Sequence, residues 1–239
     1  MKIAVISDIH SNLVALRTAL SHIKLQQVDR IICLGDAVGY GPRPNECVEL
    51  LRRNSYICLM GNHDHAVLGL TDTRYFNSYA REAVEWTRSV LTPENLDYLR
   101  NLPFFFSEND FLFVHSTPLH PEDWEYIFSE NQARDYIKQM KQRICFVGHS
   151  HVPMVFPEHE RSYYREESIL EFREQKYIVN VGSVGQPRDH DPRLCYVLFD
   201  TESGWLKFVR LKYDYEETAR EILEKGLPPF LAMRLAEGY

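Results

Sequence analysis

The chain predicts an α/β fold. Short apolar runs of strand length alternate with segments whose apolar residues recur at helical spacing. The runs repeatedly stop at a polar residue, as strands do at the edge of an open sheet. The 239 residues are 44% hydrophobic and 26% charged, which suits one domain, residues 1–239, with a substantial core.

Lys2–Ile6 reads as a buried strand and ends in Ser7-Asp8-Ile9-His10. Ser11-Asn12 offers an N-cap to a helix carrying Leu13, Leu16, Leu20 and Ile23. Residues 31–34 form a second strand running into Gly35-Asp36, followed by the stiff loop Gly39-Tyr40-Gly41-Pro42-Arg43-Pro44. Asn45 is placed to cap a helix that reaches Arg53. Residues 56–60 form a third strand, ending in Gly61-Asn62-His63-Asp64-His65. Residues 66–103 read as a helical insertion, with helices over 80–91 and 94–99 and Pro93 at the first position of the latter. The aromatic run Phe104–Phe106 is expected in the core.

Residues 111–114 and 144–147 are strands ending in His115-Ser116 and Gly148-His149-Ser150-His151, with a helix expected over 131–141 between them. The polar stretch 157–176 reads as a hairpin projecting from the body. A strand over 177–181 runs into Gly182-Ser183-Val184-Gly185-Gln186-Pro187-Arg188-Asp189. Residues 194–199 and 205–211 flank Thr201-Glu202-Ser203-Gly204 as a hairpin, and 216–225 is a closing helix. The tail with Pro228-Pro229 has no assigned role.

A formal net charge of −7 disfavours extended contact with a nucleic-acid backbone, which needs many Lys and Arg, but admits a small phosphorylated molecule at a local positive spot. Five cysteines without a C-x-x-C pair argue against a secreted disulfide framework; Cys33, Cys58, Cys145 and Cys195 sit in apolar runs. The N-terminal apolar run is too short for a signal peptide, and no stretch reaches the length of a membrane span. A cytoplasmic protein without membrane contact is expected.

Five strand-like runs end in metal-ligand residue types: Asp8 with His10, Asp36, Asn62 with His63, His115, and His149 with His151. One such ending would mean little, since Asp and Asn serve turns. Five of them, brought to one sheet edge by parallel strands, converge on a site. Imidazole favours zinc, iron, nickel and copper, while carboxylate and amide oxygen also admit manganese and magnesium. A carboxylate has two oxygens, so Asp36 can bridge two ions about 3.5–4 Å apart.

Asp8-Ile9-His10, Gly35-Asp36, Gly61-Asn62-His63-Asp64, His115 and Gly148-His149-Ser150-His151 together resemble the calcineurin-like metallophosphoesterases, in particular the small bacterial and archaeal phosphodiesterase-like branch. All five blocks are present and in order. The resemblance implies a four-layer α/β/β/α sandwich of two mixed sheets. It implies two divalent ions, manganese first, with iron, zinc, nickel or magnesium as alternatives. Asp8, His10, Asp36 and His151 would hold one ion; Asp36, Asn62, His115 and His149 would hold the other. His63 would face the phosphoryl group, with Asp64 hydrogen-bonding and orienting its ring. Gly35, Gly61 and Gly148 would let the backbone approach the metals. The implied activity is hydrolysis of a phosphoester, a phosphodiester or nucleotide first, by a hydroxide activated between the metals. A phosphomonoesterase (a protein Ser/Thr phosphatase or dinucleoside polyphosphate hydrolase) is the alternative. A non-catalytic scaffold on the same fold is disfavoured by the retained His63 and ligands.

Other signatures fail. His63-Asp64-His65 begins a His-x-His-x-Asp-His motif, but Val67 and Leu68 stand where Asp and His are required. Gly182-Ser183-Val184-Gly185 has the wrong spacing for a nucleophile elbow. Arg43 and Arg188 are each candidates to grip a phosphate, or solvated loop arginines. His65 would line the site or serve a structural role, and Asn12 would act there or cap its helix. His22, His120, His159 and His190 read as surface or loop residues.

Overall fold

The structure, a computed structural model, describes residues 1–239 apart from the side chain of Tyr75. In chain order the strands are β1 (Lys2–Ile6), β2 (Arg30–Cys33), β3 (Ile57–Cys58), β4 (Phe105–Glu108), β5 (Phe111–Val114), β6 (Ile144–Val147), β7 (Met154–Pro157), β8 (Glu167–Ile169), β9 (Tyr177–Asn180), β10 (Leu194–Asp200) and β11 (Trp205–Leu211). The helices are α1 (Leu13–Leu25), α2 (Pro44–Asn54), α3 (Asn62–Val67), α4 (Ser78–Val90), α5 (Pro93–Arg100), α6 (Glu130–Gln139), α7 (Tyr215–Glu224) and α8 (Pro229–Glu237).

Two mixed sheets result. One runs β3-β2-β1-β10-β11-β8, the other β4-β5-β6-β9-β7. Within them β1, β2 and β3 are parallel, as are β5, β6 and β9. The period-2 alternation of a strand explains the layering. Ile3 and Val5 of β1 join Phe113, Phe146, Val179 and Phe199 in a core between the sheets. Ala4 and Ile6, on the other face of β1, pack with Leu16 and Ile23 of α1 and Leu51 of α2. On the far side, Cys145 and Val147 of β6 pack with Ala133 and Ile137 of α6. The central strands of both sheets are therefore buried on both faces, in the expected helix-sheet-sheet-helix order.

Local signals set the helix ends. Asn12 caps α1 by accepting the Ala15 N–H at 3.1 Å, an interaction worth about 1 kcal/mol. Its amide also donates to the Gly185 carbonyl at 2.8 Å, so it fastens α1 to the loop after β9. Asn45 does not cap α2. Pro44 takes the first helical position, and Asn45 instead reaches Val90 and Thr92, joining α2 to the α4–α5 turn.

Two further expectations are corrected, for residues 157–176 and for the aromatic run, and the tail and His22 find their places. Residues 157–176 do not project: Tyr163 bridges to Val155, β8 pairs with β11, and Leu170 and Phe172 enter the inter-sheet core. The tail is a helix, α8, packed with α7 and Tyr40 in a separate apolar cluster. Phe105 of the aromatic run points to solvent because β4 is an edge strand. His22 is on α1, bonded through Nδ1 to the Tyr196 hydroxyl at 2.7 Å. Among the described residues, no helix is long and apolar enough to cross a membrane.

Candidate metal centre

The C-terminal ends of β1, β2, β3, β5 and β6 meet at one place. Asp8, His10 and His151 form one group whose ligand atoms lie within 4.8 Å of one another, Asp36, His115 and His149 form a second, and His10 and Asp36 are also that close to His63. Asn62 Oδ1 adjoins the second group, 3.2 Å from His115 Nε2. All these side chains are buried, none more than 7% exposed. Asp36 Oδ2 lies 3.5 Å from His10 Nε2 and 3.4 Å from His115 Nε2, between the two groups.

The second oxygen of each carboxylate is held by the chain. His63 N–H donates to Asp36 Oδ1 at 2.8 Å, and His149 N–H donates to Asp8 Oδ2 at 3.1 Å. These close approaches need glycine. A β-carbon at Gly61 would collide with Asp36 Oδ1, and one at Gly148 with Asp8 Oδ2. The glycines thus make room for the ligand carboxylates themselves.

Main-chain carbonyls set the imidazoles. His10 Nδ1 faces Val38 O at 3.1 Å, His151 Nδ1 faces Gln186 O at 2.5 Å, and His149 Nε2 faces Trp124 O at 2.9 Å. A carbonyl accepts only, so each of these nitrogens carries the proton and the other ring nitrogen presents a lone pair. Those lone pairs converge. His10 Nε2 and His151 Nε2 are 3.2 Å apart, and Asp8 Oδ1, buried without a donor, is 3.1 Å from the latter. Acceptors facing acceptors at such distances are favourable only around cations. Burial agrees with the neutral rings: it lowers His10 and His151, and it brings His149 down to about 3. His115 is the exception. Burial opposes its charge, but Asp36 and Asp8 raise it to about 9. The mixed set of imidazole, carboxylate and amide donors fits two borderline-to-hard divalent ions.

The backbone is strained here. Asp8, His10, Asp36, His149 and His151 all have positive φ, between 48° and 65°. Each costs on the order of 1 kcal/mol, and such strain collects at functional sites.

His63 stands at the first turn of α3, its ring 4.9 Å from that of His10 and 4.4 Å from that of Tyr40. Among the described residues, its Nδ1 is buried without a partner. Burial brings it to about 4, against the pull of Asp36. Asp64 does not bond the His63 ring, contrary to the expectation. Its oxygens accept the Val38 and Gly61 N–H groups at 3.1 and 3.0 Å, which ties the loop after β2 to the start of α3. Burial, then Asp36, raise Asp64 to about 7.

Arg43 is committed elsewhere, to Glu221 at 2.5 Å and Glu46 at 3.3 Å. Arg188 is beside the centre, bonded to Gln186 Oε1 at 2.9 Å. His65 bonds Thr71 and packs on Trp124 outside the ligand groups. His120, His159 and His190 contribute nothing to either ligand group.

A cleft of about 460 Å³ opens onto Asn62, His63 and His149, walled by Tyr40, Phe76, Trp124 and Tyr126. Tyr126 stacks on His149 with ring centroids 3.8 Å apart. A larger cleft of about 800 Å³, lined by Arg17, Lys24, Arg30 and Tyr56, holds no ligand residue. The roles of Trp124, Tyr126 and Gln186 went unread in the sequence. Two of them act on the ligands through main-chain carbonyls, which every residue type has. Tyr40 was signalled only by its flanking glycines.

Comparison with known proteins agrees with this geometry. Residues 1–204 match the calcineurin-like phosphoesterase superfamily domain. An uncharacterized protein of Methanocaldococcus jannaschii is 43% identical over 99% of this chain and 98% of its own. The crystal structure of a metallophosphoesterase from Sphaerobacter thermophilus is 42% identical, with a TM-score of 0.90 over 100% of this chain and 99% of that one. A hypothetical protein of Pyrococcus horikoshii shares the fold at 21% identity, with a TM-score of 0.80 over 100% and 98% of the two chains. With carbonyl-set imidazoles around two carboxylates and a domain match over most of its length, this chain belongs to the calcineurin-like phosphoesterase superfamily.

Proposed function

We propose that the chain hydrolyses a phosphodiester of small-molecule size, a nucleotide foremost, at a centre of two divalent cations, with manganese the first choice. The observation that carries this reading is the position of His63. Its ring meets that of His10, beside one ligand group, and also lines the cleft. A substrate phosphoryl group seated between the ligand groups would lie against it.

Asp8, His10, Asp36 and His151 would hold one cation, and Asp36, Asn62, His115 and His149 the other. When bound, such a pair supplies Lewis acidity and an activated water near neutral pH. His63 donates a hydrogen bond or proton to the phosphoryl or departing oxygen, a role worth about 10²–10⁴ in rate. Asp64 keeps α3 and the loop after β2 in register, and with them His63. The cleft falls within the usual span of about 300–1,000 Å³ for organic ligands, and its rings suit a planar leaving group. Buried, unpaired cysteines support a reducing compartment, the cytoplasm.

The test is a panel of para-nitrophenyl phosphate, bis-para-nitrophenyl phosphate and cyclic and dinucleotide substrates, each with manganese, nickel, zinc or magnesium. Faster turnover of the diesters is expected. A consistent preference for the monoester would overturn the diesterase reading, and no hydrolysis in any arm would overturn the enzyme reading.

A further inference from the structure

Arg188 and Arg234 both crowd the ring of Tyr40, with guanidinium carbons 5.6 and 5.9 Å from its centroid. Tyr40 in turn touches His63 and His10. Among the described residues, neither arginine is ion-paired with an Asp or Glu side chain, although the chain is acidic overall. The acids beside Arg188 are taken: Asp189 pairs with Arg210 and Asp191 with Arg193. Arg188 uses Nε and one terminal nitrogen on the uncharged Gln186 side chain. Arg234 gives Nε to an oxygen of Tyr239, the last residue, and so is charge-paired along that edge only. A guanidinium has five N–H donors, so a forked face remains on each for an anion.

The main chain holds the pair close. His190 N–H, two residues after Arg188, donates to Gly238 O at the end of α8 at 2.8 Å. Burial, then Arg188, lower Arg234 to about 10, which places the two guanidinium groups within reach of one another.

The geometry points to an anion subsite formed by Arg188 and Arg234, which takes a second phosphate of the substrate while the first lies at the metal ligands. This deepens the proposed function and rests on it for the position of the first phosphate. It also gives α8 a part in recognition: the helix carries one of the two arginines to the edge of the centre.

Two readouts on the manganese-loaded protein test it. Calorimetry compares thymidine 3′,5′-bisphosphate with thymidine 5′-monophosphate, and needs no turnover. The bisphosphate is expected to bind about tenfold tighter or more, as loss of a charged hydrogen-bonding pair implies. That ratio should fall towards one in Arg234→Met and Arg188→Met and be partly restored in Arg234→Lys. Kinetics compare the para-nitrophenyl ester of thymidine 5′-phosphate with and without a 3′-phosphate, and the KM ratio should follow the same order. No preference in the wild type, or a preference that survives both methionine variants, would overturn the subsite even if hydrolysis is normal. A binding preference that tracks the arginines without any hydrolysis would leave the subsite standing and defeat the diesterase reading.

Discussion

The main-chain N–H of His63 donates to Asp36 Oδ1 at 2.8 Å, so the residue proposed to face the substrate also steadies the carboxylate proposed to bridge the cations. The donor belongs to the backbone and survives replacement of the imidazole. His63→Ala should therefore keep its metals while turnover falls by about 10²–10⁴. Asp36→Asn should lose metal, because an amide NH2 would stand where an oxygen must accept or ligate. Elemental analysis beside steady-state rates reads both, and a fully loaded Asp36→Asn variant would contradict the bridge.

Gly61→Ala places a methyl group against Asp36 Oδ1 and the Asp36 main-chain nitrogen. The carboxylate must move or the strand must give. Metal content should drop in the purified variant, with turnover dropping in proportion. Retention of two ions per chain would show that the loop yields instead.

Acid should weaken the metal-stripped protein. His63 and His149 have folded pKa values of about 4 and about 3, below the ordinary 6.5, so the unfolded chain binds more protons as pH falls from 6.5. Stability then declines with falling pH through that window, by up to about 1.4 kcal/mol per pH unit for each proton of difference. Asp64 acts the other way. Its folded pKa of about 7 favours the protonated folded form, a contribution lost as pH rises through 7. Urea unfolding at pH 4.5, 5.5 and 6.5 should show a shallower slope for His63→Gln and a steeper one for Asp64→Asn.

Phe146 is fully buried between the sheets, stacked on Phe113 at 5.2 Å and edge-on to Phe199 at 5.3 Å. Phe146→Ala should cost about 3–5 kcal/mol in denaturant unfolding, from lost burial and the cavity left behind. A loss under about 1 kcal/mol would mean that the two sheets close over the gap.

Arg43 links the loop before α2 to α7 through Glu221. Its side chain is about one-third exposed, so solvent screens the pair and Arg43→Ala should cost no more than about 1 kcal/mol. The KM for a diester substrate should not change. A KM raised tenfold would return Arg43 to the phosphate-binding role, one of the two readings its sequence left open.

The ligand set was legible because five of the runs that deliver it are apolar and short, and parallel strands carry their last residues to a common edge. What surrounds the ligands was harder to read. The start of α3 carries a cap pattern, Gly61 with Asp64 three residues on, that is easily taken for a strand-end loop. α8 had ordinary signals, Pro229 at its first turn and Gly238 after its end, but the tail with Pro228-Pro229 was given no role. β8 is polar because it covers an edge, so no alternation marked it. The Val38, Trp124 and Gln186 carbonyls left no trace in side-chain chemistry.

Left-handed torsion at Asp8, His10, Asp36, His149 and His151 narrows what can ever replace them. Aspartate, asparagine and histidine enter that region several-fold more readily than other side chains, glycine apart. A thiolate or a longer carboxylate would bind ions as well, yet the peptide geometry disfavours either at these positions. The vocabulary of this centre is thus written by steric allowance in the main chain before any cation exercises a preference.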